Sequence, residues 1–213
     1  MRNGGPVRLN RRRSRVNSLL VAAGLSKRMG KFKPLLLYKN RPIIITVIEK
    51  LKDISNKTFI VTGLRDGDLV SEIKKYFDKE SEDKIVFVSN PEFEKGMFVS
   101  LQAGLKKAKE CDWLLYHFVD QPHLPPKFYS EFVSKIDDKY DWIQPAFNER
   151  KGHPVLIKNS LFKILIEAGE NSSLKELTNG KKVNKKIWNC NYSEILNDID
   201  TPQDYEELIK GTI

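Results

Sequence analysis

The chain has 213 residues, 40% of them hydrophobic and 31% charged, with a formal net charge of +9. That length and apolar content suit one domain with a real core; two domains would each be small, and no linker-like stretch divides the chain. Six of the positive charges sit on Arg2, Arg8, Arg11, Arg12, Arg13 and Arg15, residues 1–15 hold no acid, and the remaining +3 suits an enzyme that handles polyanions such as nucleoside triphosphates without calling for DNA or RNA.

The basic stretch Arg11 to Arg15, followed by Ser18-Leu19-Leu20-Val21-Ala22-Ala23, looks like the opening of a signal peptide, but the apolar run is short and Lys27-Arg28 follow at once. Residues 1–15 are therefore expected to form a disordered basic extension. Residues 16–213 are expected to form a single domain, soluble and cytoplasmic, with no membrane or nucleic-acid partner. Ser18 to Val21 reads as a buried strand running into a loop that begins Ala22-Ala23-Gly24. Pro42 opens a helix to about Lys52, and the apolar run from Pro42 to Ile48 is too short to span a bilayer. Thr58 to Val61 is a second strand closed by Thr62-Gly63, Asp66 caps a helix to about Phe77, and Ile85 to Val88 is a third strand closed by Asn90-Pro91. Phe98 to Lys109 is helical, and Trp113 to Val119 is a fourth strand that ends on Asp120. Trp142 to Gln144 and Pro154 to Ile157 read as strands, residues 159–168 and 171–178 as helices, Lys186 to Cys190 as a strand, and Pro202 opens the last helix. This alternation predicts an α/β fold with a mostly parallel sheet and helices on both faces. Ligands of such sheets bind outside the carboxyl ends of the strands, where the Gly24 loop, Gly63, Asn90 and Asp120 all fall.

Small residues in the loop from Ala22 to Gly30 let backbone N–H groups approach a phosphate chain, with Ser26 as a donor and Lys27, Arg28 and Lys33 as counter-charges. The loop is neither a Walker A motif nor a dinucleotide fingerprint, and its spacing alone also fits an ordinary strand-to-helix turn. Asp120 follows directly on an apolar strand, a placement suited to Mg²⁺ but also to a turn or helix cap. Asp198-Ile199-Asp200-Thr201-Pro202-Gln203-Asp204 offers a second carboxylate or a plain helix start. Cys111 and Cys190 lie far apart outside any C-x-x-C pattern, and with three histidines no zinc constellation can be drawn.

Taken together these segments carry a family resemblance. Ala22-Ala23-Gly24-x-Ser26-x-Arg28-Met29-Gly30-x-x-Lys33-x-Leu35-Leu36 resembles the signature loop of the MobA-like nucleotidyltransferases, and within that group the chain resembles the molybdenum cofactor cytidylyltransferases. Asn90-Pro91 with Gly96-Met97 and Ser100-Leu101, Val119-Asp120-Gln121-Pro122, Gly152-His153-Pro154-Val155 and Asp198-Ile199-Asp200-Thr201-Pro202 match further motifs in order. The resemblance implies a Rossmann-like three-layer nucleotidyltransferase fold, and CMP transfer from CTP to the terminal phosphate of molybdopterin with release of pyrophosphate. It implies a nucleotide site made by Ala22, Ala23, Gly24, Ser26, Arg28, Gly30 and Lys33 around the triphosphate, with Gly63, Asn90, Gly96 and Ser100 near base and ribose. It further implies Mg²⁺, or Mn²⁺ in its place, on Asp120 and Asp200, and His153 near the acceptor phosphate, where a structural histidine in a Gly-His-Pro turn is the competing reading. Onward partners would be a molybdenum hydroxylase or its accessory chaperone. Ala23, where guanylyl-type relatives tend to have glycine, favours CTP over GTP. One departure is Gly169-Glu170-Asn171-Ser172-Ser173-Leu174, which lacks the second glycine and the arginine of the family's stretch, and so opens readings with GTP or with another phosphorylated acceptor; a non-catalytic cofactor carrier that keeps the fold is a separate alternative.

Overall fold

The computed structural model describes residues 14–179 and 183–211, so all of the expected basic extension except Ser14 and Arg15 lies outside the described residues. In chain order the elements are β1 (Val16–Val21), a 3-10 turn (Lys33–Leu35), β2 (Leu37–Tyr38), β3 (Arg41–Pro42), α1 (Ile43–Ile54), β4 (Thr58–Thr62), α2 (Asp66–Lys74), α3 (Lys79–Glu82), β5 (Ile85–Ser89) and α4 (Met97–Ala108). They continue with β6 (Trp113–Phe118), α5 (Pro126–Val133), β7 (Trp142–Phe147), β8 (Arg150–Lys151), β9 (Val155–Lys158), α6 (Phe162–Glu167), α7 (Leu174–Asn179), β10 (Lys185–Asn189) and α8 (Pro202–Lys210). The main sheet has the order β10-β7-β9-β6-β1-β4-β5, with β8 paired to β7. Only β9 and β8 run against the rest, so the sheet is mostly parallel, as the alternation predicts.

The central strands β1, β4 and β6 are buried on both faces, which is why they read as unbroken apolar runs. Along β1 the pleat sends Leu20 to the layer formed with α1 and α5, and Leu19 and Val21 to the layer formed with α4 and α6. Gly104 lets α4 lie directly on β1, since a Cβ there would come within 2.2 Å of Leu19 Cδ1. Four features escape the sequence reading, one of them α3, a single turn of four residues. The β2–β3 hairpin and β8 are two residues per strand, too short to show a period, and α5 presents its aromatic face over barely two turns. α2 ends at Lys74, three residues before the expected stop at Phe77.

The topology gathers distant segments at one edge of the sheet. β1, β4 and β6 end there, and β9, running the other way, begins there, so Gly152-His153-Pro154 joins the same edge. The segment before α8 folds back onto it: His153 N donates to Ile195 O (3.2 Å), and Ile199 N donates to Asp120 O (3.0 Å). Gly152 is required at this crossing, because a Cβ would sit 2.3 Å from the backbone oxygen of Ile195. Backbone cannot retreat as a side-chain tip can. Gly152→Ala is expected to cost about 1–3 kcal/mol of stability, read as a lower urea midpoint with an unchanged m value.

Candidate active site

β1 is buried along its whole length, and its exit, Ala22 and Ala23, is buried too. The chain then opens into a turn in which Met29 N and Gly30 N both donate to Ser26 O, at 3.0 and 3.2 Å. Ser26 and Gly30 take positive φ, 48° and 65°, to make it. Ser26 Oγ accepts from Lys33 N at 3.3 Å, which ties the turn to the Lys33 segment. Met29 is buried against Ile199 and Leu208, so the loop is also anchored to the chain's last helix. Gly24 faces open space: a Cβ there would meet nothing within 4 Å. Glycine at this position thus relieves no crowding inside the protein and leaves room on the cleft side.

The loop forms one wall of a cleft of about 360 Å³. Of the residues expected from the sequence, the cleft brings together Ala22, Ala23, Gly24, Ser26, Arg28, Lys33, Gly96, Ser100, Asp120 and Asp200. Gly30, Gly63, Asn90 and His153 do not line it. Gly63 and Asn90 act from behind the wall. A Cβ on Gly63 would lie 2.7 Å from the Phe93 side chain, so the glycine admits Phe93, which does line the cleft. Buried Asn90 donates from Nδ2 to Ser100 Oγ (3.0 Å) and accepts from Glu92 N (3.1 Å), bracing both ends of the segment from Glu92 to Ser100. Phe93, Glu94 and Phe118 line it too and were not foreseen. Met97, 65% exposed at the start of α4, also lines it, beside Gly96 in the motif that the resemblance matches. A larger space of about 1190 Å³ lies at the opposite edge, between Arg15, Ser55 and Asp137, away from the residues gathered here.

Charge is concentrated at the floor of the cleft. Lys33, only 8% exposed, places Nζ 3.0 Å from Asp200 Oδ1, and Arg28 places a guanidinium nitrogen 2.8 Å from Asp200 Oδ2. Asp120 has an enclosed Oδ1 with no hydrogen-bond partner. Burial, and then the neighbouring Asp198 and Asp200 carboxylates, push its pKa up to about 7 against the pull of Lys33. Asp198 itself is held by Gln121, which is fully buried and donates from Nε2 to Asp198 Oδ1 (2.9 Å) and Ile195 O (3.0 Å). Asp198 thereby joins the carboxylate group as a member the sequence reading left aside. Thr201 and Asp204 form a complete capping box at the start of α8, so the same short motif both caps a helix and presents Asp200.

An unpartnered carboxylate oxygen beside two further carboxylates is a place that a cation would satisfy. Among the described residues no three His, Cys, Asp or Glu side chains are grouped to hold a metal by themselves. The donor set fits a hard divalent cation that takes few protein oxygens and completes its shell with phosphate. His153 stands edge-on to Phe118 at 5.1 Å between ring centroids, with Nδ1 enclosed and unpartnered. Its pKa is lowered by burial, against the opposing pull of Asp198. His117 shares a hydrogen bond with Tyr129 Oη (2.8 Å) inside the core, and His123 approaches Glu194 O (3.2 Å), so both are held by the fold away from the cleft.

The MobA-like NTP transferase domain matches residues 18–185 of this chain. The chain is 28% identical over 193 residues to the molybdenum cofactor cytidylyltransferase of Escherichia coli (strain K12), across 90% of this chain and 94% of that protein. It is 23% identical over 203 residues to a probable molybdenum cofactor guanylyltransferase of Bacillus cytotoxicus, across 91% and 96%. Its fold is similar to that of Rv0371C from Mycobacterium tuberculosis H37Rv, solved as a complex with manganese, with a TM-score of 0.72 at 15% identity over 92% of this chain and 99% of that one.

The raised Asp120 pKa sets a direction for pH dependence. The folded state holds the Asp120 proton to a higher pH than the unfolded chain does, so stability falls as pH climbs from about 4 to about 7 and levels off above. In calorimetry without metal, Asp120→Asn should gain in Tm over the unsubstituted protein across that window. A constant Tm difference from pH 4 to 8 would contradict it.

Proposed function

Because the chain belongs to the MobA-like NTP transferase family, we propose that this nucleotidyltransferase moves CMP from CTP to the terminal phosphate of molybdopterin and releases pyrophosphate. The observation that carries the proposal is the meeting, in one cleft, of an open small-residue loop, the cations of Arg28 and Lys33, and the carboxylates of Asp120 and Asp200.

A terminal acceptor phosphate oxygen attacks the α-phosphorus of the triphosphate. The bond from that phosphorus to its bridging oxygen breaks, and pyrophosphate leaves with the electron pair. A phosphate monoester is already an anionic nucleophile, so the chain's task is in-line positioning and charge stabilisation rather than deprotonation. The loop from Ala22 to Gly30 wraps the triphosphate, with Gly24 leaving the space for it. Arg28 and Lys33, paired with Asp200 in the free protein, exchange that carboxylate for phosphate oxygens and stabilise the departing pyrophosphate. The exchange frees Asp200, which with Asp120 would hold Mg²⁺ or Mn²⁺. Bound there, the cation supplies charge that polarises the α-phosphate. The manganese complex of the fold relative supports a divalent ion of this kind.

Phe93, Gly96, Met97 and Ser100 form the wall for base and ribose, with Asn90 and Gly63 supporting it. His153, behind Phe118, faces the acceptor side, and its lowered pKa keeps the ring neutral there at pH 7. Ala23 and the cytidylyltransferase relative favour CTP. A second reading, with GTP or another phosphorylated acceptor, draws on the departing stretch after Gly169. Glu170 pairs with Lys95 at 3.0 Å, which attaches that stretch to the segment lining the nucleoside wall. The guanylyltransferase relative points the same way. A non-catalytic carrier would need neither the triphosphate loop nor its paired cations.

With Mg²⁺ present, CTP should raise Tm more than GTP, and equal shifts in a thermal-shift assay would favour the second reading. Asp120→Ala should lower pyrophosphate release by at least about 100-fold while leaving the far-UV circular dichroism unchanged. Retained turnover with Mg²⁺ would remove Asp120 from the metal site.

A further inference from the structure

The loop that follows Asp120 is fastened from two sides, and one fastener lies outside the cleft altogether. On one side Gln121 reaches Ile195 and Asp198. On the other, Lys50 of α1 donates from Nζ to the carbonyl oxygens of Pro122 and Leu124, the latter at 2.8 Å. Lys50 does not line the cleft. Taking an ammonium group out of water costs free energy, and here carbonyl dipoles stand where an ion-pair partner would be expected. Burial, with the charge of Lys39 adding to it and Glu49 opposing, lowers its pKa to about 8, so the amine is still cationic at pH 7. An apolar side chain would fill the same space at no such cost, but would leave the two carbonyls unbonded.

The helix that carries Lys50 also touches the turn that holds Lys33. Ile43 N, at the start of α1, donates to the oxygen of Leu36, the residue that closes the Lys33 turn (2.8 Å). Lys50 follows Ile43 by seven residues, about 10 Å along the helix axis. Between them Ile44, Ile45, Val47 and Ile48 are fully buried, which seats α1 rigidly on the sheet. A single helix therefore touches the Lys33 turn at one end and clamps the Asp120 loop near the other.

We infer that Lys50 is a positioning residue: by holding the carbonyls of Pro122 and Leu124 it fixes the loop that aims the Asp120 carboxylate into the cleft, at the spacing from Lys33 that α1 sets. This deepens the proposed function, since it requires Asp120 to hold the divalent cation. The test is Mn²⁺ binding to the full chain with CTP, followed by the electron paramagnetic resonance of free Mn²⁺, alongside steady-state kinetics. Lys50→Met should weaken Mn²⁺ binding and lower kcat by about 10-fold or more, with KM for CTP within about 2-fold. Lys50→Arg, which restores donors to the same carbonyls, should recover both to within about 3-fold. If Lys50→Met fails to fold, Lys50→Gln, with one donating amide, takes its place and should give an intermediate loss. Asp120→Ala separates the two levels. If it abolishes Mn²⁺ binding while Lys50→Met binds as the unsubstituted protein does, the positioning role is overturned and the metal site stands. If Asp120→Ala leaves Mn²⁺ binding intact, the metal site falls and the inference with it. An equal loss in Lys50→Met and Lys50→Arg, tracking Tm, would reduce Lys50 to a structural lysine.

Discussion

The hydrogen bond from Ile199 N to Asp120 O closes the carboxyl edge of the sheet, and the chemistry of the cleft depends on it. It brings the end of β6 against a segment almost eighty residues later in the chain. Gln121 reinforces the junction through Ile195 and Asp198. Gly152 permits the close crossing, because only a residue without a Cβ can lie under the Ile195 carbonyl. Without this closure Asp120 would face solvent alone, and Asp200 would be one residue of a helix cap.

Closure creates an electrostatic problem that the rest of the site answers. Asp120 and Asp200 share the cleft floor within electrostatic reach of Asp198, and the one with the least hydrogen bonding, Asp120, has its pKa pushed upward. Lys33 and Arg28 offset this through Asp200, but not equally. Lys33 is nearly buried and holds its position through the turn that Ser26 fastens. Arg28 is largely exposed, and its pair with Asp200 is screened by water and easily exchanged. A firm cation beside a mobile one suits a site that has to receive a polyanion and then release part of it.

The loop from Ala22 to Gly30 was legible because its residue types are local answers to a local need. Positive φ at Gly30, open space at Gly24 and counter-charge at Arg28 and Lys33 leave marks in the sequence itself. Asp120 was legible from an apolar strand ending in an acid. Gly63 and Asn90, expected near base and ribose, brace Phe93 and Ser100 from behind the cleft wall. Phe93, Phe118 and Lys50 left no comparable mark. An aromatic or a lysine on a helix, strand or turn reads as core or surface until its neighbours are known.

By itself the sequence determined the α/β alternation, the strand ends that line the cleft and the small and basic residue types of the loop from Ala22 to Lys33, because helix and strand periods and turn chemistry are encoded within a few residues. Only the tertiary structure decided which acids share a site, which glycines relieve contacts and which lysine clamps the Asp120 loop. Those outcomes depend on distances between segments far apart in the chain, set by the sheet order and by α1 lying across it. No local pattern carries that information.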